Sequence, residues 1–259
     1  MSDMTKLPVL LRLAGMDDVR VRREHFPGAD GEALAMDVYG DGPRTVILVA
    51  GYRDEGFAAH AGCRFMEMTA VTSWARLLAV SGLTAVTYTN HDPAADLASL
   101  ATLLGDRDLA LLATSGNVPN ALQLLLRDAP ARVSRAALCY GFLLDLDGHT
   151  GVAAAQQTFR FATPCGGKSL DDLRDDVPLF LARAGQEQFP GLNDALDRFV
   201  AGAVARNFPL TLVNHPSGPH AFDLYDDSET TREIVRQVLA FLSAGIRGSA
   251  GRTSPLPRG

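Results

Sequence analysis

Cysteine is scarce in this chain. Three occur in 259 residues, Cys63, Cys139 and Cys165, odd in number and widely spaced. There is no C-x-x-C and no C-x-x-H, so neither a disulfide framework nor a zinc site is indicated. The usage fits a reducing compartment. Long hydrophobic runs are also missing: no stretch of eighteen apolar residues offers a membrane span. The N-terminus, MSDMTKLPVLLRLAG, lacks a basic start, a long apolar core and a small-residue cleavage site, so it does not read as a signal peptide. Basic charge falls short of acidic charge, with 24 Lys and Arg against 30 Asp and Glu and a net charge of -6. Such a surface repels polyanions, and nucleic acid is not an expected partner. The one dense basic group, RVRREHF, reads as a solvated strand edge. No Gly-rich phosphate loop is present, because GDGP at 40–43 precedes a strand rather than following one. There is no internal repeat. The expectation is a cytoplasmic protein with no membrane partner, no metal and no cofactor.

What the chain does have is apolar content. At 47% hydrophobic, 259 residues suffice for one well-buried core. Two alternating stretches, 18–26 and 33–40, flank the turn sequence PGADGE and predict an antiparallel hairpin. Val46 to Val49 form a continuous apolar run, the pattern of a strand buried on both faces. Helix and strand patterns then alternate. Helices are predicted at 73–82, 93–105, 118–129, 191–207 and 231–246, and strands at 83–90, 108–115, 134–142, 177–185 and 208–216. Gly82 reads as a helix C-cap and Pro93 as a first-turn residue. This alternation predicts an α/β fold: a mostly parallel sheet with an antiparallel N-terminal edge and helices on both faces. One domain is expected over 1–246. Residues 145–172 break the rhythm and read as a lid or pocket wall, with one helix in 151–162. The Gly/Ser/Pro-rich tail 247–259 reads as disordered. An edge strand or the final helix would offer a surface for a homodimer.

Ligands of an open parallel sheet bind beyond the C-terminal ends of its strands. After LALLAT stands Ser115-Gly116-Asn117, after PLFLARAG stands Gln186-Glu187, and before Ala221 the loop SGPH ends in His220. A hydroxyl, a carboxylate and an imidazole thus share one edge, in the order serine, acid, histidine. A serine hydroxyl needs a histidine to take its proton, and that histidine needs a carboxylate to fix its tautomer. The same order belongs to the α/β-hydrolase arrangement, with the serine on a sharp strand-to-helix elbow.

The segments VILVAGY, LLATSGNVPNAL, PLFLARAGQEQFPGLNDAL and HPSGPHAFD resemble the α/β-hydrolases, the dienelactone hydrolase-like branch in particular, over nearly all of the chain before its tail. The resemblance implies a metal-free enzyme that cleaves small carboxylic esters or lactones. Two departures stand out. The elbow pattern G-x-S-x-G reads Ala113-Thr114-Ser115-Gly116-Asn117 here; Ala113 adds one methyl, and Asn tolerates unusual backbone angles better than most residues. The acid is Glu187 where that branch has Asp, with Asp194 as the alternative. His220 has the loop context of the base. His215 reads as a loop-ordering residue, His25 as exposed and His91 as a turn residue, and His60 and His149 could face substrate or solvent. The backbone N–H groups of Gly116 and Tyr52 occupy the positions of oxyanion donors. Arg53 would bind a substrate carboxylate or pair with Asp54 or Glu55. Phe159, Phe161 and Trp74 read as core first and pocket wall second, and Cys139 as inert core. The altered elbow leaves a non-catalytic binding or regulatory protein as the second reading, and the same residues would also serve acyl transfer or C–C bond hydrolysis.

Overall fold

The run Val46-Ile47-Leu48-Val49-Ala50 is at most 4% exposed and lies at the middle of a sheet, with a parallel neighbour on each side. In the computed structural model, which describes residues 4–148 and 151–246, eight strands form that sheet. They are β1 (Val21–Pro27), β2 (Ala33–Tyr39), β3 (Arg44–Leu48), β4 (Thr84–Tyr88), β5 (Asp108–Thr114), β6 (Val133–Cys139), β7 (Leu179–Gln186) and β8 (Leu210–Pro219), in the order β1-β2-β4-β3-β5-β6-β7-β8. β1 pairs antiparallel with β2, and β2 antiparallel with β4; every other pairing is parallel. The expected mixed edge is therefore present, and β8 closes the other end as an edge strand.

Eight α-helices accompany the strands among the described residues: α1 (Asp54–Ala61), α2 (Thr69–Val80), α3 (Pro93–Leu103), α4 (Val118–Ala121), α5 (Val152–Phe159), α6 (Leu192–Ala205), α7 (Phe222–Tyr225) and α8 (Glu229–Ser243). α2 packs on β2, β3 and β4, α3 on β1, α6 on β7 and β8, and α8 on β6, β7 and β8. Local chemistry sets their ends. The Asp92 side chain accepts from the amides of Ala94 and Ala95 at the start of α3, with Pro93 at its first position. Ser228 does the same for Thr231 at the start of α8. Gly82, after α2, takes the left-handed conformation at φ 81°. No helix among the described residues is long and apolar enough to cross a membrane.

Two expectations need correction, and two helices were not expected. The helix predicted over 118–129 is only α4 and one tighter turn, Leu122–Leu125. Leu126 is extended and bridges Leu173, while Arg174 N–H donates to Leu125 O and Arg127 N–H to Asp172 O. A distant segment thus supplies the backbone partners that a continuing helix would have used. Within 145–172 the helix stops at Phe159, because Arg160 turns left-handed (φ 61°) and drops Phe161 into a second apolar cluster. That cluster joins Phe142, Val152, Ala155 and Phe161 to Leu192 and Ala195 of α6, with Tyr52 and Phe189 against it. α1 and α7 have no counterpart in the sequence reading; α1, DEGFAAHA, buries only Asp54 fully and carries no apolar stripe that a periodicity search detects. The tail at 247–259 lies outside the described residues, as does His149.

Candidate active site

β5 ends at Thr114, and the next residue, Ser115, has φ 54°. A non-glycine residue in the left-handed region is strained, and here the strain throws the serine side chain off the end of the strand. The backbone then makes one tight turn, Ser115–Asn117, into α4. Crowding explains the small residues nearby. A Cβ on Gly51 would lie 2.5 Å from Gly116 O and 2.7 Å from Asn117 Cα. One on Gly141, just past β6, would lie 2.7 Å from Ser115 O and would overlap Val118.

His220 follows β8, and Glu187 follows β7. The structure brings both to Ser115. His220 Nε2 lies 2.7 Å from Ser115 Oγ, and His220 Nδ1 lies 2.7 Å from Glu187 Oε2. The other carboxylate oxygen of Glu187 accepts from the amides of Gln188 and Phe189, both at 2.9 Å. Glu187 is thus held at both oxygens, and its side chain is only 2% exposed. With Nδ1–H donating to the carboxylate, Nε2 carries the lone pair that faces the serine hydroxyl. Asp194, the alternative acid, lies in the first turn of α6 and pairs with Arg198 at 3.2 Å.

The imidazole is walled by two rings, Phe189 at 4.6 Å and Tyr140 at 5.2 Å, both edge-on. Tyr140 has φ 38°, and its hydroxyl donates to Asp223 Oδ1 at 2.6 Å. Trp74 Nε1 donates to the other oxygen of Asp223 at 2.9 Å. Asp223 is fully enclosed; burial pushes its carboxyl up, against the pull of these two donors and of His220 nearby. This buried support was missed in the sequence, although Asp223 belongs to the segment HPSGPHAFD.

The loop after β3 can be followed atom by atom. Ala50 N–H donates to the Tyr88 hydroxyl (3.2 Å), and Ala50 O accepts from Asn120 Nδ2 (2.7 Å). Gly51 N–H donates to Asn117 Oδ1 (2.7 Å), and Gly51 O accepts from Ala162 N–H (2.7 Å). Tyr52 O accepts from Asn90 Nδ2 (3.1 Å). Among the described residues the Tyr52 N–H has no partner, and neither has the Gly116 N–H. These are the two amides placed in the oxyanion positions by the sequence. Asn117 takes a role the sequence did not show. Its backbone is ordinary right-handed (φ -85°, ψ -19°), so tolerance of unusual angles is not what it supplies. Its side chain ties the elbow to the loop, because Nδ2 also donates to Thr114 O at 2.9 Å.

Arg53 does not join this group. It makes no ion pair among the described residues, with Asp54, Glu55 or any other acid. Instead it lines a cavity of about 470 Å³ together with His25, Arg64 and His91. A second cavity, of about 260 Å³, lies between Pro119, Leu144, Val152 and Cys165. Neither lining includes Ser115, Glu187 or His220. His25, His60 and His91 are exposed, and His215 is buried and bonded to Asp226 (2.7 Å) and Thr231 (3.0 Å). Ligand atoms of Asp30, Glu32 and His91 lie within 4.8 Å of one another, all on exposed side chains, a grouping common without an ion. Trp74 and Phe161 are core, but Phe159 is 42% exposed and stacks edge-on against Phe189, toward the histidine. Cys139 is buried, and burial pushes its thiol up and keeps it inert.

No protein-family model matches the sequence, and no curated protein matches it. Solved structures do match. An esterase from the archaeon Pyrobaculum calidifontis is 19% identical, with a TM-score of 0.61 over 88% of this chain and 87% of that one. Esterase LipW from Mycobacterium marinum is 16% identical, with a TM-score of 0.62 over 88% and 83%. Brefeldin A esterase, described as a bacterial homologue of human hormone sensitive lipase, is 16% identical, with a TM-score of 0.66 over 92% and 80%. The chain has the α/β-hydrolase fold. At these identities the likeness is one of architecture, and an α/β-hydrolase fold hosts many activities.

Proposed function

We propose that this α/β-hydrolase-fold protein is a serine hydrolase of small carboxylic esters or lactones. The observation that carries the reading is the unbroken hydrogen-bond chain from Glu187 through His220 to Ser115, with the N–H groups of Gly116 and Tyr52 left without a partner among the described residues. Ser115 Oγ attacks the substrate carbonyl while His220 Nε2 takes its proton. The carbonyl oxygen becomes an oxyanion and meets the N–H groups of Gly116 and Tyr52. The tetrahedral intermediate collapses, His220 returns the proton to the leaving alcohol, and an acyl group stays on Ser115. Water, deprotonated by the same imidazole, then releases the acid. Glu187 holds the tautomer and balances the imidazolium charge throughout. Esterases among proteins of the same fold support the ester class, and the GPHAFD segment supports the narrower likeness to dienelactone hydrolases.

The test is labelling with a fluorophosphonate probe, alongside hydrolysis of p-nitrophenyl acetate. The expected result is an adduct on Ser115 that is lost in Ser115→Ala and His220→Ala, with hydrolysis lost in parallel. Folded wild-type protein that neither takes the probe nor turns over the ester would overturn the reading and leave a binding protein on a hydrolase fold.

A further inference from the structure

Five non-glycine residues among the described ones have a positive φ, and three of them meet at one place: Ser115, Tyr140 and Ala221, at 54°, 38° and 54°. Ser115 carries the hydroxyl, Ala221 follows His220, and Tyr140 sets its ring edge-on to the imidazole at 5.2 Å. Strain of this kind persists only where the surroundings over-determine it. At Tyr140 those surroundings can be named. Its N–H donates to Ala182 O at 2.7 Å, its ring is edge-on to Phe222 at 5.3 Å, and its hydroxyl donates to Asp223 Oδ1 at 2.6 Å.

Asp223 is 2% exposed and lies in α7, three residues after the histidine, because left-handed Ala221 turns the chain there. Each of its oxygens takes one donor, the Tyr140 O–H and the Trp74 N–H. An indole nitrogen can only donate, so this is the arrangement of a carboxylate. Burying such a group is costly, and no step of the proposed reaction uses it.

We propose that Asp223 is a positioning residue for His220: it fixes Tyr140 against the imidazole edge and adds a second negative charge to the one Glu187 supplies. The inference rests on the serine hydrolase reading. Glu187 holds Nδ1 directly, whereas Asp223 acts through Tyr140 and across space. The titratable groups facing the base are Glu187 from the end of β7, Tyr140 from the end of β6 and Asp223 from α7. Asp223 itself faces Tyr140 and Cys139, both of which burial pushes up, so both keep their protons. No proton leaves Tyr140 during the reaction. The Asp223 charge attracts the imidazolium, so its removal favours the neutral ring. The acid limb of kcat/KM, which reports the base of the free enzyme, then moves to lower pH.

The experiment follows kcat/KM on p-nitrophenyl acetate across the titration of the histidine. It compares wild type, Asp223→Asn, Tyr140→Phe and the double variant, with Ser115→Ala as the inactive reference. Asp223→Asn is expected to lower the plateau on the order of 10-fold and to move the acid limb down by roughly half a unit or more. Tyr140→Phe keeps the ring and removes the hydroxyl, and its plateau should fall by a similar factor. The double variant should be little worse than Asp223→Asn, because both changes break one link. Thermal melts show which variants fold; if Asp223→Asn does not, Tyr140→Phe decides alone. An unmoved acid limb in folded Asp223→Asn, losses that multiply in the double variant, or Tyr140→Phe within about twofold of wild type each overturn the proposal while leaving the hydrolase reading intact. Wild type without hydrolysis or probe adduct removes the hydrolase reading, and this proposal with it.

Discussion

Replacing Asn117 by glycine would restore the residue type that G-x-S-x-G has at this place, and here it should do harm. Asn117 is 5% exposed, and its amide serves two backbone groups. Oδ1 accepts from Gly51 N–H at 2.7 Å, and Nδ2 donates to Thr114 O at 2.9 Å. Asn117→Ala leaves the enclosed Gly51 N–H without its partner, at about 1–3 kcal/mol. Lost packing brings the expected total to about 2–4 kcal/mol. Asn117→Gly adds about 0.5–1 kcal/mol more, because the right-handed φ of -85° needs no glycine and glycine loses more backbone freedom on folding. Asn117→Asp keeps the acceptor and loses the donor, and should fall between wild type and alanine. Urea unfolding at pH 7 reads these differences directly. The same tie holds the loop bearing Tyr52, so kcat/KM on p-nitrophenyl acetate should drop about 10- to 100-fold in the alanine and glycine variants. A glycine variant as stable and as active as wild type would refute the reasoning, since it would make the Asn117 bond an ornament of the turn.

Two further outcomes follow from the geometry. Glu187→Asp shortens the acid by one methylene, about 1.5 Å, and withdraws it from His220 Nδ1 or from the two amides that hold its other oxygen; kcat/KM should fall about 10²-fold or more, and an aspartate variant with wild-type kcat/KM would count against the assigned geometry. Asp226 is held below the usual carboxylate range: burial alone would raise it, but the hydroxyls of Ser228 and Thr231 and the ring of His215 outweigh that. A depressed carboxylate contributes stability that is present above its unfolded value, near 3.9, and is lost as pH falls through the lower folded value. Asp226→Asn should therefore be less stable than wild type at pH 7, with the gap closing below about pH 4 in acid titrations followed by circular dichroism; a gap independent of pH would dismiss the linkage.

How much of this could be read from the residues depends on the range of the interaction. Val46 to Val49 announce a doubly buried strand because burial on both faces is written into four consecutive residues. The order Ser115, Glu187, His220 suffices to place three groups at one sheet edge, since parallel strands all end there. What the sequence could not show is set by partners far along the chain. α4 stops early because residues 172–174 take over its backbone bonds. Asn117 matters for a bond to Gly51, 66 positions away, rather than for its own torsions. Arg53 follows Tyr52 in sequence yet lines a cavity that does not include Ser115, because α1 begins at the next residue and turns the chain away. The Asp223 network is invisible for the same reason: local pattern names a residue type but not what it points at.

The hydrogen bond from Ala162 N–H to Gly51 O has a consequence for motion. It joins the segment after α5 to the loop that carries Tyr52, so the two cannot part without freeing the Gly51 carbonyl. On the proposed hydrolase reading, any opening of residues 151–162 that lets a larger molecule in would slacken the Tyr52 loop at the same moment. Access and rate are then opposed by a single bond, and the Ala162 amide proton becomes a clock for that opposition. Its exchange with deuterium counts the openings, and substrates that need more room should be turned over from a state in which that proton is unprotected.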